Sequence, residues 1–275
     1  MNAPSDARPV TDMLGRTLLV PQVPQRVISL CPSQTETLLE LGLDRRLVGR
    51  TRYCIHPGEQ VKPITEVGGT KRVDLNVIAQ LQPDLIIAEK EENPREMVES
   101  LSQIAPVFVT DVVDVASAYE MISRLAELIG KPEQGMSLQR EIQNEWSHMI
   151  ADAPSKRVAY LIWRKPWMAA GPQTYINSLL KTAGWINVCA DPHAPSASRY
   201  PEISLELLAE KKVDYVLLSS EPYPFQEKHL SEVKSALPQA RVLLTDGEPW
   251  SWYGSRMRRF PALLKSLHES LANRA

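Results

Sequence analysis

The strongest constraint on the fold is a repeated segment in which a helical pattern leads directly into a buried strand. Residues 73–88 read VDLNVIAQLQPDLIIA and residues 203–218 read ISLELLAEKKVDYVLL, and the two align without a gap. Two further pairs of similar segments occur in the same order along the chain. RVISL at 26–30 resembles RVAYL at 157–161, and VFVTD at 107–111 resembles VLLTD at 242–246. One echo is typical of any α/β protein, but three in order indicate duplication of one α/β unit.

Short runs rich in Val, Ile and Leu alternate with helical patterns, which predicts an α/β fold with mostly parallel sheets. The predicted strands are residues 26–30, 47–50, 84–89, 107–111, 157–163, 214–219 and 241–246. Residues 112–156 hold no strand pattern and predict two helices, at 115–129 and at 133–151. The second helix carries a one-sided apolar stripe, and its length suits a rod between two Rossmann-like lobes.

Composition and charge exclude several classes of protein. Hydrophobic residues make up 43% and charged residues 23% of the 275 residues, which excludes disordered, collagen-like and coiled-coil chains. The formal net charge is -2 without a basic block, so no nucleic-acid partner is expected. No apolar run approaches the roughly 20 residues of a membrane-spanning helix, so no membrane span is expected. The three cysteines form no disulfide framework.

The loops that follow the predicted strands are the candidate ligand-binding positions, because open parallel sheets bind ligands beyond the carboxyl ends of their strands. Two lobes would leave a cleft lined by these loops. The candidates are Tyr53, Thr70, Lys71, Glu89 and Glu92 in the first lobe and Trp163, Arg164, Trp167, Tyr200, Trp252, Tyr253 and Arg256 in the second. The aromatic members would supply flat apolar walls.

The charged candidates have alternative interpretations. Lys71, Arg164 and Arg256 would pair with anionic groups of a ligand, or with Glu89 and Glu221 across a closed cleft. The glutamates between positions 89 and 92 either contact a ligand or cation or form a solvated face.

Cys54 and His56 lie two positions apart and could begin a metal site, since thiolate and imidazole are ligands for zinc, copper or cobalt. Glu89 or Glu92 would have to complete that site, and the alternative is that Cys54 is simply packed in the core. His56 has a second interpretation as the axial ligand of a corrinoid cobalt.

Two local motifs predict helix caps. Ser33 and Glu36 have the spacing of a capping box, in which the serine and the glutamate satisfy backbone N–H groups reciprocally. Asn93, which precedes Pro94, is predicted to cap the next helix.

The motifs taken together resemble a known superfamily over nearly the whole chain. TDMLGR at 11–16, RVISLCPSQTE at 26–36 and QPDLIIA at 82–88, with the LG and VG pairs between them, are similar to the cobalamin-binding and ferric-siderophore-binding proteins of ABC importers. This is the helical-backbone metal-receptor superfamily, with the class III periplasmic-binding-protein fold. The resemblance implies a leading hairpin, two lobes joined by one long rigid helix, and a ligand in the cleft between them.

The predicted organisation is an N-terminal arm or hairpin at 1–25, an N-terminal lobe at 26–132, a linker helix at 133–153 and a C-terminal lobe at 154–275. The resemblance also implies a glutamate in each lobe for docking on a permease. Glu206 is present, whereas the equivalent position by the repeat holds Asn76. Tyr53 and Tyr200 match aromatic positions of cobalamin-binding relatives, but Thr70 and Glu89 stand where those relatives have tryptophan.

The sequence therefore predicts a monomeric binding protein, not an enzyme, that takes a cobalamin-like corrinoid or a ferric siderophore and requires no cofactor. No signal-peptide pattern precedes the first strand, so the expected location is cytoplasmic, or periplasmic if the sequence is a mature form. An ABC permease is the one protein partner that the resemblance implies. The alternative is a metal-dependent enzyme or chelatase on the same fold, using Cys54, His56 and the loop at 89–92.

Overall fold

A computed structural model describes residues 7–149, 155–190 and 198–272 of the chain. It divides into two compact units. Unit 1 comprises the described residues up to Val112, Ala116–Gln143 and Tyr253–Arg256. Unit 2 comprises Val113–Val115, the described residues from Asn144 to Trp252, and those from Met257 onwards.

Unit 1 begins with an antiparallel hairpin of strands β1 (Ala7–Thr11) and β2 (Thr17–Pro21). Its turn is held by Asp12, whose carboxylate accepts the backbone N–H and the guanidinium of Arg16 at 2.6 to 2.9 Å. Gly15 supplies the left-handed backbone that the turn needs, with φ of +78°. The leading hairpin implied by the resemblance is therefore present.

The main sheet of unit 1 is entirely parallel, in the order β5-β4-β3-β6-β7. Its strands are β3 (Val27–Ser29), β4 (Leu47–Arg50), β5 (Thr65–Glu66), β6 (Leu85–Glu89) and β7 (Val107–Thr110). The helices that follow along the chain are α1 (Pro32–Glu40), α2 (Gly58–Val61), α3 (Leu75–Gln80), α4 (Arg95–Leu101), α5 (Val115–Leu128) and α6 (Pro132–Ser147). These strands contribute Ile28, Ile86 and Val107 to the buried core, as expected of strands that are covered on both faces.

The sheet of unit 2 has the order β10-β8-β11-β12, all parallel, with β9 added antiparallel to β8. Its strands are β8 (Arg157–Trp163), β9 (Met168–Ala169), β10 (Ile186–Asn187), β11 (Tyr215–Ser219) and β12 (Arg241–Thr245). Its helices are α7 (Tyr175–Thr182), α8 (Leu205–Glu210), α9 (Glu227–Ala236), α10 (Glu248–Ser251) and α11 (Phe260–Ala272). None of the helices in the described part of the chain is both long and apolar enough to cross a membrane.

The predicted α/β class with parallel sheets is confirmed, and each predicted strand corresponds to an observed one. The predictions at 47–50 and 157–163 coincide with β4 and β8, while the two-residue strands β5, β9 and β10 carry no detectable pattern. The helix predicted at 133–151 corresponds to α6, which ends earlier, at Ser147, and positions 150–153 of the predicted linker lie outside the described residues. The domain boundaries at 25, 132 and 153 stay predictions.

The duplication is visible in how the first strand of each main parallel sheet is held. In unit 1 the backbone N–H of Arg26 donates to the Asp84 carboxylate at 2.9 Å. In unit 2 the N–H of Arg157 donates to the Asp214 carboxylate at 2.7 Å. These aspartates occupy equivalent positions of the sequence repeat, just before β6 and β11. Each therefore ties the start of one strand to its neighbour by the same bond.

Candidate functional site

At the carboxyl end of β6, the Glu89 side chain is buried, with only 2% of the residue exposed. Its Oε2 accepts the backbone N–H groups of Glu91 and Glu92 at 2.7 and 2.8 Å, which closes a tight loop. Burial raises the pKa of Glu89 to about 7; the two N–H bonds oppose this rise, and the charges of Glu91 and Glu92 add to it. A carboxyl group in this state can donate or accept hydrogen bonds near neutral pH.

Asn93 links this loop to its neighbour and does not cap a helix. Its Oδ1 accepts the N–H of Glu89 at 2.8 Å, and its Nδ2 donates to the carbonyl of Thr70 at 2.8 Å. The helix after it is α4, whose N-cap is Pro94, so the predicted Asn93 cap is wrong. The side chain is used instead to hold the loops after β5 and β6 together.

Lys71 lies at the rim of the same loops with its ammonium partly exposed. Its Nζ donates to the carbonyl of Glu91 at 2.6 Å and lies 3.6 Å from the Glu92 carboxylate. Within unit 1 its carboxylate partner is Glu92, and the pairing with Glu221 drawn from the sequence stays a prediction. Lys71 therefore forms a solvent-exposed ion pair within unit 1, with side chains 61% and 45% exposed.

Tyr253 brings a phenol to this part of unit 1 from a distant part of the chain. It is 8% exposed, and the Ser33 side chain hydrogen-bonds to it. Burial raises the pKa of Tyr253 and of the Cys31 thiol well above their ordinary values, and the nearby Glu89 raises both further. Both groups are therefore neutral at physiological pH.

Arg256 anchors the segment that carries Tyr253. Its Nε and Nη2 donate to the two carboxylate oxygens of Glu36 at 2.7 and 2.9 Å, and both side chains are almost fully buried. Helix α1 begins after Cys31 with no side-chain cap bond, so the predicted Ser33–Glu36 capping box is wrong. Glu36 is a tertiary ion-pair partner. Arg256 was predicted to contact a ligand, and in the structure its Nε and Nη2 bind Glu36.

Gly254 makes the close approach of this segment possible. Its φ is +87°, and a Cβ at this position would collide with the Thr37 hydroxyl. That hydroxyl oxygen accepts the N–H of Ser255 at 3.0 Å. Residues 253–256 are thus fixed on α1 by a buried ion pair, a backbone hydrogen bond and a glycine contact.

Cys54 and His56 are not assembled into a metal centre by the described residues. Cys54 is fully buried, and its thiol lies 3.1 Å from the hydroxyls of Thr35 and Thr51. Burial raises its pKa, which disfavours the thiolate that metals bind. Over residues 7–149, 155–190 and 198–272, no three His, Cys, Asp or Glu side chains form a group that could hold a metal ion.

Tyr53 precedes Cys54 in the chain and was predicted to contact a ligand. It is 54% exposed, whereas Cys54 is fully buried.

At the carboxyl end of β8, unit 2 carries an aromatic cluster, which we define as Trp163, Trp167, Tyr223, Phe225 and His229. Trp167 stacks on Phe225 with ring centroids 5.9 Å apart and planes 4° apart. Trp163 meets Tyr223 edge to face at 5.5 Å and leaves 41% of its surface exposed. The cluster is a rigid apolar surface with an open tryptophan, suited to a flat ligand.

Arg164 lies over the face of Trp167, with its guanidinium carbon 5.7 Å from the ring centroid. The same guanidinium forms two bonds with the carboxylate of Glu232, at 2.9 and 3.1 Å. Within unit 2 its charge is paired with that of Glu232, and the pairing with Glu89 or Glu221 drawn from the sequence stays a prediction.

Glu221 is a half-buried carboxyl group two residues beyond β11. The Ser251 hydroxyl donates to its Oε1 at 2.6 Å, and Trp252 also hydrogen-bonds to it. Burial raises its pKa, and the charges of Glu248 and Asp246 add to the rise. Trp252 hydrogen-bonds to this carboxyl group and is only 9% exposed, so its ring presents little surface to a ligand.

The remaining predicted positions lie on separate elements. Tyr200 is half-buried and lies near the start of the described segment that begins at residue 198. Glu206 is exposed in the first turn of α8, and Asn76 is exposed at the equivalent place in α3.

Tyr223, Phe225, Glu232 and Ser251 contact predicted residues of unit 2 but were not themselves among the predicted ligand-binding residues. The signal for the first two was present, because aromatic residues alternate with prolines in the EPYPF run at 221–225, directly after a strand. Glu232 and Ser251 carry no such signal, since their roles depend on partners far away in the chain.

Three comparisons with known proteins identify the family. A family model described as periplasmic binding protein matches residues 27–242. A vitamin B12-binding protein of Yersinia pestis (strain Pestoides F) is 26% identical over 211 residues, covering 75% of this chain and 74% of that protein.

Solved structures agree in fold. The petrobactin-binding protein YclQ of Bacillus subtilis superposes with a TM-score of 0.78 at 20% identity, covering 97% of this chain and 99% of that chain. A periplasmic heme-binding protein from Pseudomonas aeruginosa gives 0.73 at 21% identity, covering 90% and 94%. These relatives are binding proteins, and no comparison supports the enzyme or chelatase alternative. Because the family model spans more than half of the sequence, this chain belongs to the periplasmic binding protein family.

Proposed function

We propose that this protein binds a corrinoid of the cobalamin type through residues at the carboxyl ends of its strands. The corrinoid is a ligand to be carried, not a cofactor. The proposal rests on the family, on the aromatic cluster with its exposed Trp163, and on the buried polar groups around Glu89.

One observation favours a corrinoid over the other metal chelates that relatives bind. The three cations predicted to meet a ligand are each paired with carboxylates: Lys71 with Glu92, Arg164 with Glu232 and Arg256 with Glu36. Heme carries two carboxylates and many ferric siderophores are anionic, so both call for cations that are not yet balanced. Cobalamin carries amides around its macrocycle, and amides are matched by neutral donors and acceptors.

Such neutral groups are present in unit 1. A protonated Glu89 can donate, and the backbone around Thr70 and Asn93 is polar. Unit 2 carries an apolar surface of its own, because the ring of Trp163 is open enough to contact a flat macrocycle. The raised pKa of Glu89 supports this role, since a carboxylic acid can hydrogen-bond an amide without a charge mismatch.

The experiment that tests this proposal is native mass spectrometry of the purified protein with cobalamin, hemin and ferric petrobactin added separately. We expect one cobalamin retained per chain, and weaker retention after Trp163→Ala. Met136→Ala removes a side chain that is 53% exposed on α6 and serves as the matched control. Retention of hemin or ferric petrobactin in place of cobalamin would contradict the proposed ligand.

The proposal extends to a membrane partner. We propose that Glu206, exposed on α8, contacts a basic surface of an ABC permease, while Asn76 contributes no charge at the equivalent place on α3. In a binding assay with the permease, Glu206→Gln should weaken association and Asn76→Glu should strengthen it. Unchanged association in both variants would remove these helices from the docking surface.

A further inference from the structure

A second candidate binding site lies at the opposite edge of the unit 2 sheet, where the strands begin. Two adjoining depressions of about 360 and 400 Å³ share Arg241 and Leu271 and together form a groove beside the starts of β8, β11 and β12. Each has the size of a small-molecule pocket. The groove is separate from the aromatic cluster, which lies at the carboxyl ends of the same sheet.

The cations of this groove set its chemistry. Lys156 and Arg241 line it, and Lys234 lies at its far end. Within the part of the chain that the structure describes, no carboxylate forms an ion pair with Arg241 or Lys156. The one acidic lining residue, Asp214, already accepts the Arg157 N–H at 2.7 Å. The groove therefore carries an excess of positive charge, in contrast to the paired cations at the carboxyl ends.

Apolar and aromatic groups complete the lining. Leu237, Val242 and Leu271 are nearly fully buried and form an apolar floor. The Tyr215 ring stands at one wall, with the Lys156 ammonium 5.9 Å from its centroid. A flat apolar body with an anionic end would satisfy both parts of such a surface.

The sequence repeat provides an internal control for this site. The strand registers place Lys156, Tyr215 and Arg241 of unit 2 at the positions that unit 1 fills with Gln25, Leu85 and Pro106. The aspartate that ties the strand starts together is present in both units. The charged and aromatic residues are thus not required by the fold, since unit 1 builds the same sheet without them.

We propose that this groove binds a small aromatic carboxylate, with its carboxylate on Arg241 and Lys156 and its ring over the apolar floor. The planar guanidinium of Arg241 suits a carboxylate because it can donate two parallel hydrogen bonds. The site is independent of the corrinoid proposal, and neither depends on the other.

The test is a titration followed by amide chemical shifts, with naphthalene-2-carboxylate as the probe. Naphthalene-2-carboxamide is the uncharged counterpart, and inorganic phosphate is the anion without an apolar body. We expect shifts at the starts of β8, β11 and β12 with the carboxylate, and much weaker binding of the other two probes. Equal affinity for carboxylate and carboxamide, or for phosphate, would overturn the proposed ligand class.

Variants test the residues. Arg241→Gln should weaken carboxylate binding by about tenfold or more, the effect of losing a charge-assisted hydrogen bond. Arg259→Gln removes an exposed arginine elsewhere in unit 2 and should leave the affinity unchanged. Lys156→Gln gives a second variant should Arg241→Gln fail to fold. Wild-type affinity in the groove variants, or no carboxylate binding by the wild type, would overturn the site.

Discussion

The two units share the aspartate bond that holds the starts of their strands, and they differ in the side chains at the carboxyl ends. Asp84 and Asp214 make the same bond to the strand alongside, and the sequence repeat is clearest there. At the other edge, unit 1 has buried polar groups around Glu89, whereas unit 2 has stacked rings around Trp167. The bonds that build each sheet are therefore alike in the two units, while the loops after the strands carry different chemistry.

The ion pairs differ in the same way. The Glu36–Arg256 pair of unit 1 is buried, with side chains 9% and 1% exposed. The Arg164–Glu232 pair of unit 2 is partly open, with side chains 21% and 39% exposed. Each guanidinium donates two hydrogen bonds to its carboxylate, so burial is the main difference between the pairs. Mutating each pair therefore measures how burial changes its contribution to the free energy of unfolding.

Arg256→Ala should have the largest effect. It leaves the Glu36 carboxylate buried without its guanidinium, and removing one partner of a buried pair costs about 3 to 5 kcal/mol. We expect a matching fall in the free energy of unfolding, measured by urea denaturation. Replacing both residues, Glu36→Met with Arg256→Met, should cost much less. A loss below about 1 kcal/mol in the single variant would contradict the structural role of this pair.

Glu89 should make stability fall as pH rises. Its pKa is about 7 in the folded protein against an ordinary 4.5, so the folded state holds its proton more tightly. This contribution is complete below about pH 4.5, is lost as pH rises through 7, and amounts to about 3 kcal/mol. Urea unfolding from pH 4.5 to 8 measures it.

Glu89→Gln keeps an acceptor for the two backbone N–H groups and should remove this part of the pH dependence. Glu59→Gln, at a side chain 88% exposed, should leave it unchanged. An identical pH profile for wild type and Glu89→Gln would show that Glu89 titrates normally.

Trp163→Ala tests the aromatic side of the comparison. Loss of a large flat contact should weaken cobalamin binding by about 1 to 3 kcal/mol, measured by isothermal titration calorimetry. The free energy of unfolding should fall by less than it would for a fully buried tryptophan, because 41% of the residue is already exposed. Equal affinity in Trp163→Ala and in the Met136→Ala control would place the ligand away from this cluster.

Arg164→Ala should have the smallest effect on stability. Solvent screens the partly open pair with Glu232, so the expected loss is under about 1 kcal/mol in urea denaturation. A loss as large as that of Arg256→Ala would mean that burial does not distinguish the two pairs.

The strands could be predicted from the sequence because a buried strand is a local pattern. The runs at 47–50 and 157–163 are rich in apolar residues, and they correspond to β4 and β8. Two-residue strands such as β5 carry too few side chains to show any periodicity. Their pairing depends on neighbours in the sheet.

The site was harder to predict because its bonds join distant parts of the chain. Glu36 and Ser33 have the local spacing of a capping box, but Arg256, 220 residues away from Glu36, outcompetes that interaction in the folded protein. Asn93 likewise donates to the carbonyl of Thr70 and does not cap the adjacent helix. Local spacing identified polar residues near the site, and only the tertiary structure shows which of them are paired.

The most direct test of the account is a side-by-side titration of the wild-type protein with cobalamin and with hemin, followed by calorimetry. Because Lys71, Arg164 and Arg256 are already balanced by carboxylates, the account predicts one cobalamin per chain and clearly weaker binding of the dicarboxylate hemin. Tighter binding of hemin than of cobalamin would contradict it.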